Sequence, residues 1–105
     1  MKLPASVRIG YLTCPVQPMT PDDAEANNGR FDEDTGVIEI ADNLSDALKV
    51  DALLHEMLHA MCLLGNAGLE PEPEERVVRA LTTQLLGAMR DNSELFVAMM
   101  WTVRE

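Results

Sequence analysis

Histidine is nearly missing from this 105-residue chain, which holds two, and cysteine is as scarce, also with two. Two thiols cannot build a disulfide-rich scaffold, so the chain must bury an apolar core. Aromatic residues make up only 4%, and seven methionines share the filling role. Basic residues are few: 8 Lys and Arg stand against 18 Asp and Glu, for a net charge of −10 and a sequence pI near 4.4. That balance argues against nucleic acid or an anionic membrane as partner, since both need a basic face. No apolar run is long enough to span a bilayer.

What is present is an ordinary globular composition, 47% hydrophobic and 25% charged, expected to form one domain over residues 1–105. Met1-Lys2-Leu3-Pro4 leads directly into a strand-like stretch with no secretion signal, so a cytoplasmic protein with reduced thiols is expected. The acid is clustered at Asp22, Asp23 and Glu25, at Asp32, Glu33 and Asp34, and at Glu70, Glu72, Glu74 and Glu75. Most of these read as solvated loop and helix-start carboxylates.

Residues 7–12 alternate apolar with polar or small and predict a first strand. Residues 14–21 hold three prolines, which predicts an extended connection without regular structure. After the Asn27-Asn28-Gly29 turn signal, Arg30-Phe31 and residues 37–40 form a plausible hairpin around residues 32–36, with Ile38 and Ile40 on one face. Residues 45–64 have helical periodicity, with Ser45 or Asn43 able to cap the start and Gly65 the end. Leu53, Leu54, Met57, Leu58, Met61 and Leu64 ring that helix, which predicts burial on nearly every side. Pro73 suits a first helical position for residues 74–90, whose apolar stripe is Val78, Leu81, Leu85 and Met89; a short helix over 94–103, capped by Ser93, closes the pattern. Strands first and helices after predict an α+β fold, a small antiparallel sheet on a helical pair.

Both histidines lie in His55-Glu56-Met57-Leu58-His59. Residues four apart on a helix share a face, so two imidazoles there can grip one metal ion, with the glutamate beside it as a base. The motif is short and occurs by chance, but a chain that uses histidine nowhere else has put both at ligand spacing. Ring nitrogens in a core helix also need partners, and a metal would supply one. A catalytic zinc has three protein ligands and an open position. The third must then be a carboxylate, and Glu74 and Glu75 open the following helix. At about 100° per residue, Glu74 lies nearer the centre of the apolar stripe, so periodicity leans to Glu74.

This arrangement resembles the gluzincin branch of zinc metallopeptidases, and more narrowly the small ImmA/IrrE-like and phage or prophage domains with the same core. The second helix of those domains reads roughly E-x-x-A-N-x-F-A-x-x-L-L. Laid from Glu75, this chain offers Val78, Arg79, Leu81, Thr82, Leu85 and Leu86. Laid from Glu74, the leucine pair would fall on Gln84 and Leu85. The resemblance, which covers residues 37–90, therefore implies Zn2+ on His55, His59 and Glu75, with Glu74 as the alternative ligand and Glu56 as catalytic base. It departs from the family at Leu58, often a small residue there, and at Arg79 and Thr82, often asparagine and alanine. A bacterial or phage-infected cytosol is the implied setting.

The function expected from these residues is hydrolysis of a peptide or protein substrate, with an edge strand at residues 38–40 holding an extended peptide. Candidates to donate to an oxyanion are Tyr11, Arg30, Arg76 and Arg79, each weighed against an ordinary surface role. Asp51 can orient an imidazole, or simply be exposed near the helix start. Cys62 lies near the motif, though a packed thiol is the commoner role. Met99-Met100-Trp101 can be core or an apolar patch for self-association. The competing class is a non-catalytic zinc-binding or partner-binding domain, against which Glu56 argues, since a structural zinc closes with four ligands. A metal-free fold with packed histidines is a third reading.

Overall fold

The computed structural model describes residues 1–20 and 27–104; Pro21, Asp22, Asp23 and Glu25 lie outside the described residues. Among the described residues four strands precede three helices: β1 (Ser6–Ile9), β2 (Leu12–Met19), β3 (Gly29–Phe31) and β4 (Ile38–Ala41). The helices are α1 (Asp46–Leu64), α2 (Pro71–Asp91) and α3 (Ser93–Arg104). The fold is α+β, as the element order predicts. Among the described residues, no helix is long and apolar enough to cross a membrane.

The sheet order is β1-β2-β4-β3, and it is mixed rather than wholly antiparallel. β1 pairs antiparallel with β2, and β3 with β4, but β2 runs parallel to β4, Val16 opposite Ile38 and Met19 opposite Ala41. The single strand expected over residues 7–12 is instead split. Gly10, at φ 58°, makes a two-residue turn between Ile9 and Leu12.

The stretch expected to be irregular is the longest strand, and its prolines stand where no ladder bond is lost. The Val16 N–H donates to the Ala5 carbonyl at 2.9 Å, so even-numbered residues of β2 point their amides toward β1. The Pro18 nitrogen therefore faces a side that β1 has already left, its pairing ending at Pro15. The Pro15 nitrogen faces the β4 side one residue before that pairing begins at Val16. Proline removes a donor only where one is needed.

α1 starts at the Ser45 hydroxyl, which accepts from the Leu48 amide at 3.3 Å, and ends at Gly65. It lays Ala52, Leu53, Glu56 and Ala60 on the sheet, where Ile9, Cys14, Ile38 and Ile40 complete the core. Burying each branched side chain here contributes about 1.5–3 kcal/mol. The expected burial on nearly every side does not occur: Leu48, Met61 and Leu63 are exposed. One sheet layer and one neighbouring helix are too little material to enclose it. α2 begins at Pro71 rather than Pro73, with Glu70 preceding it. It covers α1 through Val78 and Thr82, while Leu81 and Met89 of the expected stripe are exposed. The Thr82 hydroxyl donates to the Val78 carbonyl at 2.7 Å, which lets a polar residue occupy that buried position. Cys14 and Cys62 are free thiols, the first buried and the second half-buried.

Candidate metal centre

His55 and His59 project from one face of α1 toward the start of α2. Their Nε2 atoms stand 3.3 Å apart. The carboxylate of Glu75 closes the triangle, 3.0 Å from His55 Nε2 and 2.8 Å from His59 Nε2. Among the described residues, these three are the group whose ligand atoms all lie within 4.8 Å of one another. Two atoms about 2.1 Å from one tetrahedral zinc are roughly 3.4 Å apart, so the imidazole pair already has that spacing. The carboxylate needs to withdraw by only a few tenths of an ångström.

Glu74 takes a different position from its neighbour. Its carboxylate meets Nδ1 of His59 at 2.6 Å, on the ring edge away from the triangle. When Nδ1–H donates there, the lone pair is left on Nε2, pointing at the centre. That lone pair, the His55 ring nitrogen and the Glu75 carboxylate then converge on one small volume. Three acceptors so placed could be held together by a metal ion or by a shared proton. Burial pushes His59 down, but its hydrogen bonds to Glu74 and Glu75 outweigh that and hold it above the usual histidine value. Burial lowers His55, against the attraction of Glu75. Burial raises Glu75, but the two histidines and Arg79 more than reverse it, so the carboxylate stays ionised.

The Glu74 contact gives a specific expectation. Glu74→Gln should weaken zinc binding by about 10–100-fold without abolishing it, whereas Glu75→Gln removes a ligand. Competition with a chromogenic chelator separates the two, and equal losses would mean that Glu74 ligates.

Glu56 is 7% exposed, and burial raises its carboxyl to about 7. It lies beneath Gly29 of the outer strand β3. A Cβ added at Gly29 would stand 3.0 Å from the Glu39 carbonyl oxygen, 3.1 Å from Ile40 Cδ1 and 3.4 Å from Glu56 Cγ. Only a bare backbone lets β3 pass this close. Local sequence marks Gly29 as a turn residue and carries no sign of this contact.

A cleft of 440 Å³ opens beside the cluster, lined by Gly29, Asp51, His55, Glu56, Glu75 and Arg79 among others. A second, of 580 Å³, shares Gly29, His55, Glu56, Glu75 and Arg79 with it, and there Phe31, Glu33, His59, Leu69 and Glu74 join the walls. Arg79 lines both and donates to Glu75 Oε1 at 3.1 Å, an i,i+4 pair that the sequence makes available. Arg30 borders the second cleft and donates to Glu39 at 2.6 Å. Asp51 borders the first, one turn before His55.

Other sequence candidates are not brought to the cluster. Tyr11 sits in the β1–β2 turn, 83% exposed, and is absent from the walls of both clefts. Arg76 is likewise absent from them, and Cys62 does not join the ligand group. The expected peptide-binding edge also moves. β4 lies between β2 and β3, so β3 is the outer strand. Comparison with family models, curated proteins and solved structures finds no match to this chain.

Proposed function

We propose that this chain is a zinc-dependent peptidase of the gluzincin-like kind, hydrolysing a peptide or protein substrate. The observation that carries the reading is the convergence of His55 Nε2, His59 Nε2 and the Glu75 carboxylate, with Glu56 on the same helix and open clefts alongside. A zinc ion held there supplies Lewis acidity to a carbonyl and acidifies a water. Glu56 takes the proton from the attacking water and delivers it to the leaving amine. Arg79, a cation at the border of both clefts, faces the charge that develops on the carbonyl oxygen.

The outer edge of β3 offers backbone groups to an extended substrate, which would lie as an added strand between β3 and α2. The 40% exposure of the Glu75 side chain favours catalysis over a purely structural role, since an ion held there would have an open side toward the cleft. The non-catalytic alternative retains the metal but assigns no task to Glu56. Under the catalytic reading the protein works in the cytoplasm of a bacterium or phage-infected cell, where its free thiols stay reduced. Zinc-loaded protein incubated with a mixed peptide library should give new termini, read by mass spectrometry, that vanish with chelator. A library left intact at all zinc levels would favour the non-catalytic domain.

A further inference from the structure

α3 presents an unusual surface. None of its residues is buried, and Leu95, Val97, Met99, Met100, Trp101 and Val103 are between 47% and 82% exposed. These side chains ring the helix, a concentration of exposed apolar groups unlike the single scattered ones of an ordinary surface. Phe96 is its one half-buried residue, so the helix rests on the body along that side.

About 120° round the helix from Phe96 runs a stripe of Glu94, Val97, Trp101 and Arg104, at spacings of three, four and three. This is the spacing by which two helices mesh along a seam. Its chemistry is directional: an acid, two apolar side chains, then a base. Arg104 now lies over the Trp101 ring, 4.7 Å from its centroid, at the end of the stripe.

We propose that this stripe is a self-association face, through which two copies of the chain pair with their α3 helices antiparallel. A twofold axis crossing the helix at the level of Met99 sets Glu94 against the partner's Arg104. The same axis sets Val97 against the partner's Trp101, small against large, and repeats both contacts on the other side. The stripe is thus complementary to itself under the symmetry that dimers use. A parallel pair would instead stack Glu94 on Glu94 and Arg104 on Arg104. The charge pattern therefore selects a second copy in one orientation. A stable interface buries about 800 Å² per partner, more than one stripe of a twelve-residue helix provides, so the dimer is reversible and concentration-dependent.

Sedimentation equilibrium of the full chain across the micromolar range tests this. The average mass should climb from one copy toward two, and Trp101→Glu should hold it at one. Glu94→Arg and Arg104→Glu should each weaken the dimer by about tenfold or more, by turning two attractions into repulsions. An equimolar mixture of those two variants should associate again, because every facing pair is then of opposite sign. These side chains are exposed, so circular dichroism should stay native; if Trp101→Glu unfolds, the charge variants decide. A mass of one copy at every concentration overturns the proposal, as does an association that the single charge reversals leave unchanged.

Discussion

Glu56→Gln is expected to lower peptide hydrolysis by about 10²–10⁴-fold while the zinc content per chain stays as it was. The amide keeps the shape of the carboxylate but cannot accept a proton from water. Its surroundings tolerate the change: the side chain is buried between α1 and Gly29 of β3, and glutamine is isosteric. Burial already favours an uncharged group there, since the Glu56 carboxyl is raised to about 7. The variant should therefore fold at least as stably as the parent. Metal analysis and hydrolysis rate, measured on the same preparation, separate the outcomes. Unchanged turnover would remove Glu56 from the chemistry, and lost zinc would make it part of the metal's support.

Chelation should have the largest effect on stability. A ligand that binds only the folded state adds about 2.7 kcal/mol at a hundred times its dissociation constant. For a domain of this size, each kcal/mol moves the melting temperature by about 4–8 °C. Removing zinc should then lower it by on the order of 10 °C or more. His59→Ala should abolish the response: it deletes the ring that touches His55, Glu74 and Glu75 together. Calorimetry of parent and variant, each with and without chelator, checks this. A parent whose melting is indifferent to chelator would count against a metal-loaded fold.

Much of the frame is legible in local pattern because local physics decides it. Ser45 and Gly65 bound α1 through hydrogen bonds within a turn or two, and the spacing of His55 and His59 needs only the helix repeat. The β3–β4 hairpin is equally local. The parallel pairing of β2 with β4 is not: it joins segments about twenty residues apart in the chain, with β3 between them. Nor does the proline content of β2 reveal on which side each missing N–H falls. The roles of Glu74 and Glu75 turn on how α2 leans against α1. Periodicity places both near the apolar stripe, but the contact with His59 Nδ1 distinguishes them. The exposed apolar ring of α3 is readable as composition, but not as core or surface.

The most direct measurement is anomalous diffraction at the zinc edge from crystals grown with zinc and without a polyhistidine tag. One peak per chain is expected, about 2.0–2.2 Å from His55 Nε2, His59 Nε2 and an oxygen of Glu75. No peak there, a peak bound by other side chains, or the two rings turned away from each other would contradict a shared metal site.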